Sequence, residues 1–286
     1  MNIFHNDNTI HIDHVAIRVM DLEKSINFYN LVLGFEVINR IGDIVEMGVN
    51  KSVLLILKQA KTPKQKRAAG LYHIAYLVPN RKDLANWLYF HIQNKTRFDG
   101  ASNHGVSEAI YLRDIDGNGI EVYTDTPKDT WSWDNNQVQM ITEALDIDDL
   151  FTQVTTPTNA LPNNTIIGHI HLSVLNIEES QKFYHILGFD TVLNMGNAAF
   201  LSSQKYHHHL GMNVWGMASA SPHIETQADL DYLVIQYPNE EAITNVLNNL
   251  NKNGFEYIKE NDVVQLIDIN GIKIYLIYRK WNSFLL

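Results

Sequence analysis

Ile12-Asp13-His14-Val15-Ala16-Ile17-Arg18-Val19 returns further down the chain as Ile167-Gly168-His169-Ile170-His171-Leu172-Ser173-Val174. The residues after each copy repeat too: Asp21 to Ser25, Phe28-Tyr29 and Leu33-Gly34-Phe35 correspond to Asn176 to Ser180, Phe183-Tyr184 and Leu187-Gly188-Phe189. Self-similarity of this kind decides architecture before any local reading does. Each copy reads as an alternating strand, an N-cap residue, an amphipathic helix closed by glycine, and more strands. The Phe-Tyr pairs fall on the helices as core residues. A looser repeat links Tyr76-Leu77-Val78-Pro79-Asn80 to Ile235-Gln236-Tyr237-Pro238-Asn239, and Asn118-Gly119-Ile120-Glu121-Val122-Tyr123 to Asn270-Gly271-Ile272-Lys273-Ile274-Tyr275. The expected fold is α+β, with four βαβββ modules over 11–58, 71–125, 167–217 and 230–279. Two halves result, 1–125 and 165–286, joined by a linker over 126–164 whose Trp131-Ser132-Trp133 is expected to pack on the first half.

Composition narrows the function. The 286 residues are 45% hydrophobic and 19% charged, as in a globular protein, and the formal charge of −10 disfavours nucleic acid and anionic membranes as partners. No cysteine is present, which excludes thiolate chemistry and disulfides. The first residues lack a basic and an apolar segment, and no apolar run reaches membrane-spanning length, so a cytoplasmic location is expected.

One acid stands out. Glu121 sits between Ile120 and Val122 on an apolar strand, and ionised groups inside proteins are paired or bound to metal. The strand Leu71 to Val78 carries His73, and the pair reads as two ligands of a divalent ion. Alone, Glu121 fits a loop cap or a partner for Arg113 equally well. Module 1 has His14 on its first strand and no ligand on its last, Val53 to Ile56. Module 3 has His169, His171 and the run His207-His208-His209. Module 4 has Tyr232 where module 2 has His73, and on the Asn-Gly alignment Lys273 where module 2 has Glu121; a lysine there repels a dication. These losses are complementary if modules 2 and 3 share one cup. The triad is then His73, Glu121 and His169, with His14 replacing His169 if modules 1 and 2 pair instead.

The carrying motifs, Gly70-Leu71-Tyr72-His73, Gly100 to Leu112, Asp116 to Glu121, Ile167 to Leu172 and Tyr206 to Asn213, resemble those of the vicinal-oxygen-chelate superfamily of glyoxalase I, bleomycin-resistance proteins and extradiol dioxygenases. Within it the chain resembles the short four-module catechol 2,3-dioxygenases. The resemblance implies two glyoxalase-like domains with cup-shaped sheets and a ring-cleaving dioxygenase of aromatic catabolism. Its substrates are a small aromatic diol and O2, and a homo-oligomer is compatible with it. Two histidines and one carboxylate on one face of an ion suit Fe(II), with Mn(II) as the alternative and Zn or Ni able to replace it in purified protein. By the same resemblance His208 is the acid–base histidine, Tyr111 hydrogen-bonds substrate oxygen, and His104 is the further histidine near the substrate. His104 lies two residues closer to Tyr111 than in larger extradiol enzymes. Strand alternation alone leaves His207, His208 and His209 open for the acid–base role. A glyoxalase-type isomerase or lyase, and a metal-free protein that binds an aromatic compound or drug, are the competing functions.

Overall fold

The computed structural model describes residues 3–278, so the ends of the two halves at 1–2 and 279–286 lie outside the described residues. Module 1 comprises β1 (His11–Val19), α1 (Leu22–Leu33), β2 (Glu36–Ile41), β3 (Ile44–Val49) and β4 (Ser52–Gln59). Module 2 comprises β5 (Gly70–Leu77), α2 (Arg81–Gln93), β6 (Gly100–Asn103), β7 (Ser107–Arg113) and β8 (Gly119–Asp125). The connection carries short pieces, β9 (Trp133–Asp134), β10 (Gln137–Val138), β11 (Glu143–Ala144) and α3 (Ile147–Phe151). Module 3 comprises β12 (Ile166–Ser173), α4 (Ile177–Ile186), β13 (Asp190–Asn194), β14 (Ala198–Ser202) and β15 (Leu210–Asn213). Module 4 is β16 (Leu230–Gln236), α5 (Glu240–Lys252), β17 (Tyr257–Glu260), β18 (Val263–Ile267) and β19 (Lys273–Ile277).

The four long helices among the described residues begin as their sequences require. Asp21, Asn80, Asn176 and Asn239 each accept a hydrogen bond from a backbone N–H three residues on, which satisfies a donor that the first turn leaves orphaned. Helix α1 closes on Gly34 in the left-handed region, where a Cβ would also collide with Ala160 of the connection.

Two mixed sheets result. One runs β17-β18-β19-β16-β1-β4-β3-β2 and joins modules 4 and 1; the other runs β11-β6-β7-β8-β5-β12-β15-β14-β13 and joins modules 2 and 3. In each, two first strands meet antiparallel at the centre, β1 with β16 and β5 with β12, and each is flanked by the parallel last strand of its own module. Helices make the complementary connections. The Tyr29 hydroxyl of α1 donates to Asp114 of module 2, and that of Tyr184 in α4 donates to Asp268 of module 4. The Phe-Tyr repeat is therefore core. Trp131 does not lie on the first half alone: it packs with Val106, Val192 and Tyr206, stitching modules 2 and 3 together. No helix among the described residues is long and apolar enough to cross a membrane.

Candidate metal centre

The cup of modules 2 and 3 is organised by period-two alternation about β5. Ile74 and Tyr76 turn into the core, while His73 and Ala75 face the other way. Register places Ala75 opposite Glu121 on β8 and opposite His169 on β12. Its methyl leaves room for longer side chains to close over it. His73 is paired with Gly119, where a Cβ would collide with the Tyr72 carbonyl and the His73 side chain. A register shift between Ile167 and His169 interrupts the β5–β12 ladder, and the same shift recurs between Ile12 and His14 on β1.

The three side chains converge. His73 Nε2 lies 3.0 Å from Glu121 Oε2, His169 Nε2 lies 3.2 Å from the same oxygen, and the two nitrogens are 3.2 Å apart. All three residues are buried. Ligands in adjacent positions around an ion at about 2.1 Å stand roughly 3.0 Å apart, so this triangle has the dimensions of one face of an octahedron. The donor set fits a divalent ion. Burial lowers the His169 imidazole to about 4 against the upward pull of Glu121, which keeps the ring neutral with a lone pair to give. Burial would raise the Glu121 carboxyl, but contacts with His169 and His73 outweigh it and hold the group well below the ordinary carboxylate range. His14, the alternative third ligand, is on β1 in the other sheet, where its Nδ1 lies 2.6 Å from Asp13.

Two further groups flank the triad. Tyr111 is the register partner of Glu121, and its hydroxyl is hydrogen-bonded to His104 Nε2 at 2.7 Å. His104 Nδ1 faces the Ile141 carbonyl at 2.9 Å, and since a carbonyl only accepts, this assigns the neutral ring its Nδ1–H form. Burial and the nearby Glu121 push the Tyr111 phenol well above its usual range, so it remains a hydroxyl. On the other flank the His208 ring lies 4.0 Å from that of His169 and 5.0 Å from Phe200, and burial lowers its imidazole well below the ordinary range. His207 turns away to Asp125, and His209 to Ser202 and the Phe4 carbonyl. The triple histidine precedes β15 rather than lying on it, so strand alternation does not order the three rings.

Beside His171, which the sequence already places with His169 on the first strand of module 3, several residues escaped the sequence reading. His171 enters the cup with its ring 4.9 Å from His73 and its Nε2 accepting from the Asn213 amide, which leaves Asn213 and Phe200 as unrecognised walls. Tyr72 and Trp215, 5.5 Å apart, form an exposed aromatic rim beside His171. Asp125 was legible in principle, because residues 121, 123 and 125 share a strand face. The alignment with module 4 also shifts. Asp114 accepts from the N–H groups of Asp116 and Asn118, and Asp268 from those of Asn270 and Ile272, so Gly117 matches Gly271 and Glu121 matches Tyr275. Lys273 takes the place of Gly119, not of the carboxylate.

Residues 11–122 match the model of the Glyoxalase/Bleomycin resistance protein/Dioxygenase superfamily. The chain belongs to that superfamily. It is 39% identical over 264 residues to the catechol-2,3-dioxygenase of Bacillus subtilis strain 168, a match covering 89% of this chain and 92% of the relative, and is thus a homologue of that enzyme. Among solved structures, a putative dioxygenase from Bacillus subtilis superposes with a TM-score of 0.63 at 12% identity, covering 94% of this chain and 85% of the other. Glyoxalase I from Zea mays superposes at 0.56 and 15% identity, covering 94% and 92%. These structural likenesses carry the fold.

Proposed function

We propose that the protein is an Fe(II)-dependent extradiol dioxygenase that opens a catechol, or a substituted catechol or hydroquinone, beside its hydroxyls. Both atoms of O2 enter the product, a muconic semialdehyde in the case of catechol. The observation that carries this reading is the convergence of His73 Nε2, His169 Nε2 and Glu121 Oε2 within 3.2 Å, on a chain homologous to a catechol-2,3-dioxygenase. Those three residues would hold the ion, which supplies Lewis acidity and open positions at which diol and O2 meet.

The chain's own groups do the rest. His208, kept neutral by burial, takes the second diol proton and returns it during ring opening. Tyr111, held by His104, hydrogen-bonds an oxygen of the substrate. His171 and Phe200 close one wall and exclude water. Anaerobically purified, iron-loaded protein should turn catechol yellow while consuming one O2 per ring. Failure of both with a range of substituted catechols and hydroquinones overturns the reading.

A further inference from the structure

Behind His208 runs a chain of hydrogen bonds that the proposed chemistry does not use. His208 Nδ1 lies 2.8 Å from His207 Nδ1, and His207 Nε2 lies 2.8 Å from Asp125 Oδ1. The same carboxylate oxygen accepts from the Tyr206 hydroxyl at 3.0 Å, and Tyr206 in turn pairs with the Tyr123 hydroxyl at 2.7 Å. His207 is fully buried, whereas Asp125 is about one-fifth exposed and opens on a cavity of about 690 Å³ shared with His5, Asp13 and Thr165. Its carboxylate therefore keeps contact with water while its inner oxygen is committed to His207.

From these contacts we infer that Asp125 is a positioning residue that fixes the tautomers of His207 and His208 and leaves His208 Nε2 as the proton acceptor. The reason lies in what each atom is able to donate. A carboxylate only accepts, so His207 carries its proton on Nε2. With that ring uncharged, its Nδ1 bears a lone pair. An Nδ1···Nδ1 contact of 2.8 Å requires one proton between the nitrogens, and it must come from His208. With its proton on Nδ1, His208 presents a lone pair at Nε2, to which no group among the described residues is hydrogen-bonded. The two rings thus hold opposite tautomers, set by one aspartate two hydrogen bonds away. Reversal of this order would place a hydrogen on His208 Nε2 and remove the acceptor.

The role of His208 in proton transfer rests on the function proposed above; the tautomers do not. They are read in metal-free, full-length protein labelled with 15N at histidine, by long-range 1H–15N correlation, with His207→Gln and His208→Gln spectra for assignment. Unmodified protein should show His207 as the Nε2–H form and His208 as the Nδ1–H form, whether or not it cleaves any diol. Asp125→Asn, whose amide also donates, should mix or invert the two patterns. In iron-loaded protein the same variant should lower kcat for catechol roughly 100-fold with KM unchanged. Tyr206→Phe should leave both tautomers in place and kcat within about threefold, since it removes only a donor to Asp125. Two like tautomers in the unmodified protein would overturn the inference without needing any variant to fold. So would an Asp125→Asn protein with unshifted tautomers, or one with shifted tautomers and unchanged kcat.

Discussion

Cross-strand register lets the cup of modules 2 and 3 be laid over that of modules 1 and 4 position by position. Where the first has His73, Glu121 and His169, the second has Tyr232, Tyr275 and His14. His171 corresponds to Ala16 and Gly211 to Ile56. In the second cup Ala16, Ile56, Tyr232, Val234, Tyr275 and Ile277 form a packed apolar cluster that Val53 joins. The exchange is one of volume as well as chemistry. An imidazole beside a glycine in one sheet becomes a methyl beside an isoleucine in the other. A cup without imidazoles and a carboxylate needs other side chains to fill the same space, because an apolar void costs more the larger it is. His14, the one imidazole at a corresponding position, lies against Asp13.

The comparison breaks first at Glu121. Glu121→Ala should cost at least roughly 10³-fold in ring cleavage, since it removes the one anionic ligand, whereas losing a group that only hydrogen-bonds a ligand already costs up to about 100-fold. Tyr275→Phe, the matching change in the other cup, should leave metal content and O2 uptake at the level of the unmodified protein. Metal analysis after dialysis and oxygen-electrode rates check both. If Tyr275→Phe lost metal, or Glu121→Ala kept a full equivalent, the division of labour between the cups would be wrong.

Stability should show the reverse asymmetry. Ile56→Ala empties the middle of the filled cup and should cost about 2–5 kcal/mol in denaturant unfolding, with ring cleavage unaffected. Gly211→Ala adds a methyl where a Cβ would stand 2.7 Å from His171 Nδ1, and should cost about 1–3 kcal/mol while also slowing turnover. Equal effects of the two on activity would mean that the cups communicate.

Why part of this was legible depends on what each residue needs. His73, Glu121 and His169 are polar residues on apolar strands, and such residues announce themselves against the pattern. The pairing of modules 2 with 3 was legible from complementary ligand losses. The alignment of Glu121 with Lys273 was misled by Asn118-Gly119 and Asn270-Gly271. These identical pairs sit at different places in their turns, and the true anchors are Asp114 and Asp268, which look like ordinary turn acids in one dimension. The order of the three histidines depends on a bend before β15, and Asp125 matters only through His207, from a distant part of the chain. Neither contact leaves a local signal.

Acid should find the cup of modules 2 and 3 first. His5, hydrogen-bonded to the Gly168 carbonyl beside His169, is lowered by burial to about 3, and His169 to about 4. Both are neutral when folded and regain an ordinary value of 6.5 when unfolded. The unfolded chain therefore binds more protons between pH 6.5 and the folded values, and stability falls as the pH falls through that window. At pH 5 each group should have cost on the order of 2 kcal/mol. Thermal unfolding of metal-free protein from about pH 7.5 to about pH 5 should show this loss, and His5→Phe should flatten the slope. A slope unchanged in that variant would remove His5 from the account.

The smallest effect tests the register itself. Lys273 lies 2.7 Å from Glu225, whose side chain is 62% exposed, and a pair of that kind contributes about 1 kcal/mol or less. Lys273→Glu exchanges that attraction for a like-charge repulsion of similar size and should therefore shift stability by no more than about 2 kcal/mol. Tyr275→Glu should do far worse, because position 275 is 6% exposed and the new carboxylate would be buried within the apolar cluster. Residues 273 and 275 share a strand face, so if the Asn-Gly alignment were right, position 273 would sit at the buried depth of Glu121 and the order would invert. Denaturation midpoints of the two variants decide between the alignments, since only one of them makes Tyr275 the counterpart of the carboxylate.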